Sequence, residues 1–314
     1  MDEAQQTSLS DAKESFRHLA WALLVLLFVT NITYNLLFGF IDFMASAVTS
    51  DIADEAAFYE TPVFMTYPWF TNTLHLVCQL IGTYAVIRVL RAVPAAAGEQ
   101  KPLDWKEFFV FFLCCFPIAY VGDLIGTALA SFLSGGTAVN PLESTIDYHP
   151  LSIVYVLLLG PLLEEIIFRK QLIDRSVKYG EENAILFSAL CFGLYHQNLY
   201  QFFYTFGSGV IFSYVYVRTR KLHYTVLMHI LFNLTGTIFS FVSSDMAGIV
   251  FVVVLSVAGV AALILKVRHL TFQRTEEQIQ KGEIFRTVYI NWCFILFFAL
   301  MILSTILRLF FVTA

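Results

Sequence analysis

The sequence predicts an all-α fold: a polytopic transmembrane helix bundle with about nine spans and its N-terminus on the inner side. Three observations carry this. First, 58% of the 314 residues are hydrophobic and only 14% are charged, with a mean hydropathy of +0.71. A soluble domain carries about 25% charged residues and cannot hide that much apolar surface. Second, apolar runs of the ~20 residues needed to cross a ~30 Å hydrocarbon core recur along the chain. Third, the loops between those runs alternate in charge. Disordered, collagen-like, disulfide-scaffold and ordinary soluble-enzyme classes are excluded, and nothing reads as a nucleic-acid patch.

The chain reads as one integral membrane domain, 1–314, opening with a polar N-terminal tail, 1–18. The spans follow at about 19–44, 67–90, 108–133, 150–170, 184–199, 202–217, 223–242, 247–266 and 287–312. The fifth and sixth are short, with the polar stretch His196-Gln197-Asn198 between them. Short or interrupted spans mark backbone that lines a cavity. Ala45-Ser46-Ala47 matches a small-x-small cleavage site, but it lies beyond the usual 15–30 residues of a signal peptide, so the first span reads as a retained helix.

Charge orients the bundle. Lys13, Arg17, Arg88, Arg91, Lys101, Lys106, Arg169, Lys170, Arg175, Lys178, Arg218, Arg220, Lys221 and the basic residues of 266–286 fall on one set of loops. The opposite loops carry Asp51, Asp54, Glu55, Glu60, Glu143, Asp147 and Asp245 and no Lys or Arg. By the positive-inside rule the basic set is cytoplasmic. Only Arg308, near the far end of the last span, departs from the pattern. The segment Gln273–Glu283 reads as an exposed inner helix or loop. The five cysteines all fall in apolar runs and read as buried small hydrophobes.

Ionisable residues inside a bilayer cost at least ~2.5–3.5 kcal/mol each, so each needs a role. They cluster in the middle third. The fourth span ends in Gly160-Pro161-Leu162-Leu163-Glu164-Glu165-Ile166-Ile167-Phe168-Arg169, the fifth holds Phe192 to His196, and the seventh holds His229 to Asn233. Glu165 and Arg169 are four apart, acid first, the favourable order for a helical pair. Glu164 points about 100° away from that face. One glutamate is thus neutralised locally while the other addresses a different surface. His229 and Asn233 share one helix face. At ~1.5 Å per residue these groups lie at similar depths in the inner half of the membrane.

Taken singly, each motif has a plain reading: a packing histidine, an assembly lock, or a transporter's proton path. Together they supply a carboxylate, two imidazoles and an amide. That is a general base with charge-stabilising donors, the set that amide hydrolysis requires. Asn31, Asn35, His75, Gln79 and Asp123 read as interhelical hydrogen-bonders or cavity lining, with Asp123 mid-span and without a sequence-local partner.

Glu-Glu-x-x-x-Arg, Phe-x-x-x-His and His-x-x-x-Asn, in that order on separate spans, resemble the CPBP intramembrane proteases. These include the CAAX prenyl endoproteases and the bacterial Abi proteins of bacteriocin processing and immunity. The resemblance covers about residues 110–245, leaving spans one, two and nine outside it. It implies that Glu164 and His196 polarise the attacking water, that His229 and Asn233 stabilise the oxyanion, and that Glu165 and Arg169 hold the helix.

The expected activity is therefore that of a glutamate-type intramembrane endopeptidase in the cell membrane. Its substrate would be a membrane-associated peptide bond, in a prenylated CAAX tail or in a leader or bacteriocin peptide. No cofactor is expected, although Glu164, His196 and His229 also match a zinc ligand set and leave a metalloendopeptidase-like alternative open. The rivals are a non-catalytic immunity or scaffold protein, and a proton-coupled transporter using Glu164 or Asp123. A transporter would usually show internal symmetry, and none is evident in the sequence.

Overall fold

Backbone that enters hydrocarbon must satisfy its N–H and C=O groups internally, and a helix does this within one segment. The computed structural model describes residues 3–49, 63–96, 98–141, 149–242, 246–275 and 277–311, and among them it contains no strand. The helices fall on the predicted runs. They are α1 (Glu3–Thr49), α2 (Pro68–Val89) and α3 (Trp105–Ser134); α4 (Pro150–Tyr179); and α5 (Glu181–Tyr195), α6 (Leu199–Thr219), α7 (Leu222–Val242), α8 (Met246–Val267) and α9 (Trp292–Phe311).

Among the described residues, seven of these helices are long and apolar enough to cross a membrane, and α5 and α6 are outside that set. The two of the nine expected spans that fall outside this set are the fifth and sixth, the ones that read as short in the sequence. With 15 residues, α5 is about 22 Å long, short of a ~30 Å core. It packs against α6 as a hairpin.

The hairpin tip is built by turn chemistry. Gln197 takes a left-handed conformation, with φ 51°. Asn198 caps α6 by accepting the Tyr200 N–H at 3.0 Å, satisfying a donor that the first turn leaves free. The Gln197 side chain accepts the Ser304 hydroxyl of α9 at 2.6 Å, and Tyr200 donates to the Ala138 carbonyl at 2.9 Å.

The tail expected at 1–18 continues α1, with Ala12 and Phe16 fully buried. One apolar cluster joins the N-terminal half of α1 (Phe16, Leu19, Leu23) to Phe168 of α4, Phe187 and Phe192 of α5, and Phe294 and Phe297 of α9. A second joins Phe108 and Phe111 of α3 to Phe212 and Tyr216 of α6 and Tyr224 and Met228 of α7. The site lies between them.

Helices α3 and α6 touch backbone to backbone. A Cβ on Gly122 would sit 2.6 Å from the Tyr204 nitrogen, and one on Gly126 would sit 2.5 Å from the Leu199 oxygen. This is the close approach that a small-x-x-x-small pair allows between membrane helices.

At the basic end of the bundle Asp174 is a hub. Its carboxylate accepts Tyr216 OH at 2.9 Å and meets Arg220 at 3.4 Å, and its carbonyl accepts the Ala96 N–H at 2.6 Å. The segment Gln273–Glu283 is largely irregular, with one tight turn at Lys281–Glu283. Lys178 pairs with Glu277 at 3.0 Å there. All five cysteines are buried and free. The acidic residues Asp51, Asp54, Glu55, Glu60, Glu143, Asp147 and Asp245 lie outside the described residues.

Candidate active site

Helix α4 carries the double glutamate and is irregular around it. Tyr155–Leu159 and Ile166–Ile173 wind as π-helix, with an α-helical Gly160–Glu165 between them. Such insertions recur at functional sites because each extra residue turns the following side chains by about 100°.

The two glutamates part as their spacing requires. Glu165 is fully buried, with its Oε2 3.2 Å from Arg169 Nε. These two atoms meet as charges without hydrogen-bond alignment. Arg169 is also fully buried. Its guanidinium lies over the Phe192 ring at 4.7 Å and the Phe212 ring at 5.7 Å. One amino group donates to Ser188 Oγ at 3.3 Å, and that hydroxyl donates to the Phe168 carbonyl at 2.7 Å. Glu164 turns away from this cluster, and its side chain keeps 17% exposure.

His229 on α7 sits between the carboxylates. Its Nδ1 is 3.1 Å from Glu165 Oε1, and its Nε2 is 3.7 Å from Glu164 Oε2. His196 closes α5. Its Nδ1 donates to the Phe192 carbonyl at 2.9 Å, which leaves Nε2 with a free lone pair. Glu164, His229 and Arg169 all lie within electrostatic reach of His196. Phe192 organises the group: its ring packs edge-on against His196 at 4.9 Å and against His229 at 5.7 Å. Asn233, one turn beyond His229, donates to the Val156 carbonyl on α4 at 3.1 Å.

The structure thus brings Glu164, Glu165, Arg169, His196 and His229 into one cluster and places Asn233 at its edge, against the π-turn. The zinc alternative read from the sequence rests on Glu164, His196 and His229. Both His229 nitrogens already face carboxylates, and among the described residues no three His, Cys, Asp or Glu side chains are placed to hold a metal ion.

Three tyrosines that sequence reading missed lie in the neighbourhood of Glu164. Tyr155, Tyr195 and Tyr204 each lie within its electrostatic reach. Their only sequence signal is a phenol in an apolar run, which this aromatic-rich chain offers at many positions. Asp123 lies on the exposed side of α3, within reach of Tyr204. Asn31 and Asn35 are exposed and donate to the carbonyls of Leu27 and Asn31 on their own helix. His75 stacks on Tyr34 at 4.6 Å between ring centroids, and Gln79 is buried.

Comparison with known proteins places the same stretch. Residues 147–235 match the family model "Type II CAAX prenyl endopeptidase Rce1-like". The membrane-embedded CAAX protease MroQ of Staphylococcus aureus (strain USA300) is 30% identical over 185 residues, covering 55% of this chain and 75% of that protein. The putative membrane peptidase YdiL of Bacillus subtilis (strain 168) is 33% identical over 156 residues, covering 47% of this chain and 63% of that protein. No solved structure matches. The chain belongs to the CPBP family of Rce1-like intramembrane peptidases.

Proposed function

We propose that this peptidase works as a glutamate-type endopeptidase in the cell membrane, with Glu164 as general base. The observation that carries this reading is the split between adjacent glutamates: Glu165 is buried against Arg169, while Glu164 stays partly exposed beside His229. A water held by Glu164 and the free Nε2 of His196 gives its proton to the carboxylate and attacks the peptide carbonyl. The oxyanion that forms is stabilised by His229 and by the amide of Asn233, as preorganised donors do in other hydrolases. The proton then passes from Glu164 to the leaving amine, so the base is regenerated.

The substrate is a peptide bond close to the inner membrane surface. Two peptide classes suit the site: a prenylated C-terminal tail, the class that CAAX proteases such as MroQ are named for, and a leader of a secreted peptide. The N-terminus and the basic loops lie on the inner side in this reading. The test is cleavage of both peptide types by purified protein in detergent or vesicles, with and without a chelator. Glu164-dependent cleavage that survives the chelator supports the reading. Full cleavage by Glu164→Gln, or loss with the chelator and recovery with zinc, overturns it.

A further inference from the structure

The hydrogen bond from Asn233 to Val156 has a specific origin in the sequence. Inside an α-helix the Val156 carbonyl would accept the N–H of Gly160. That N–H goes instead to the Tyr155 carbonyl, the five-residue bond of the π-turn. The five-residue partner of Val156 is residue 161. Residue 161 is proline, which has no N–H. Val156 therefore carries a carbonyl that neither the α nor the π register can satisfy, within hydrocarbon, where an orphaned backbone group costs several kcal/mol. The Asn233 amide, 3.1 Å away, fills that vacancy.

We infer that Pro161, Val156 and Asn233 form a positioning clamp, in which α7 holds open the π-turn that aims Glu164. The inference rests on the reading of Glu164 as the base, but the clamp itself is independent of it. Glu164 lies three residues beyond Pro161, on the α-helical segment that the π-turn delivers. Collapse of the five-residue register to four would rotate that segment by about 100° against the preceding turn. Pro161 blocks internal repair of the vacancy, and Asn233 repairs it from outside. The tie also fixes Asn233 relative to Glu164 and spends one of its two amide hydrogens, leaving the other for the oxyanion. Asn233 is thus a positioning residue in addition to any part it takes in charge stabilisation.

The test is a double-mutant cycle between Asn233 and Pro161, read by thermal midpoint and by kcat and KM on the purified membrane protein. Pro161→Ala supplies the missing N–H to Val156 in the π register, so turnover should stay within about tenfold of the native enzyme. In the native background Asn233→Ala should lower the midpoint and reduce kcat, with KM nearly unchanged, by at least about tenfold more than the ~10²–10³-fold expected for losing one preorganised donor, because the clamp goes with it. In the Pro161→Ala background the same substitution should shift the midpoint less and cost at least about tenfold less in kcat, because Val156 no longer needs it. Equal losses in both backgrounds, or loss of more than about tenfold turnover in Pro161→Ala alone, would overturn the clamp. Glu164→Gln separates the two ideas. Coupling of midpoints with an active Glu164→Gln enzyme refutes the base and keeps the clamp. Absence of coupling with an inactive one refutes the clamp and keeps the base.

Discussion

The Glu165 carboxylate and the Arg169 guanidinium meet at 3.2 Å with neither side chain exposed, and the arginine is roofed by Phe192 and Phe212. Such a pair is costly to form, because both ions leave water, and costlier to break, because one is left alone in a low dielectric. Its place in the fold explains why the cost is borne. The same glutamate holds Nδ1 of His229, so the pair sets the imidazole that faces Glu164.

Removing the cation should therefore be felt in folding. Arg169→Ala is expected to lose about 3–5 kcal/mol of stability and to lower the yield of folded protein. Arg169→Lys keeps the charge but loses the planar fork that stacks on the rings and reaches Ser188, so it should fall between the two. Thermal midpoints of the purified variants measure this. A native midpoint for Arg169→Ala would show that the pair does not support the fold.

Glu164 should behave in the opposite way. It is partly exposed and takes no part in the ion pair with Arg169. Glu164→Gln keeps size and hydrogen bonding and loses only the ability to take a proton. Turnover should disappear while the midpoint and peptide binding stay near native, as read by a cleavage assay beside a binding titration. Near-native turnover would leave a non-catalytic scaffold as the better account.

The two histidines should separate by what else they hold. His196→Ala removes a ring that hydrogen-bonds to the Phe192 carbonyl of its own helix, so activity should fall steeply with a modest change in midpoint. His229→Ala also strips buried Glu165 of its imidazole partner. It should cost both activity and stability, by about 1–3 kcal/mol for the carboxylate left under-satisfied. If both variants melt alike, the bridging role of His229 is wrong.

Sidedness can be read with thiol reagents, because the five native cysteines are buried and give little background. Gln100 and Thr137 are exposed, in the loop before α3 and the loop after it. Gln100→Cys should label only from the cytoplasmic side and Thr137→Cys only from the opposite side. Labelling of both from one side would break the orientation that the basic loops imply.

Much of this was legible in the residues. Hydropathy placed every long helix, because hydrocarbon leaves the backbone few alternatives. The spacing of Glu164, Glu165 and Arg169 placed one carboxylate in an ion pair and the other elsewhere, because 100° per residue fixes that geometry. What stayed hidden depends on contacts between helices. The close packing of α5 on α6 is one such contact, since apolar length alone does not say which helices pair. The π-turns have only Gly160-Pro161 as a local sign. Tyr155, Tyr195 and Tyr204 come within electrostatic reach of Glu164 from three helices, which no periodicity within one helix reveals. The polar residues of 1–18 read as a tail because their buried positions, Ala12 and Phe16, are few and widely spaced.

The family model ends at residue 235, yet the ring of Phe16 packs on Phe187 at 5.1 Å and Ser304 grips the turn that follows His196. The matched segment is therefore braced from both sides by helices outside it, and its packing is not self-contained. The flanking helices are scaffolding for the hairpin that presents His196.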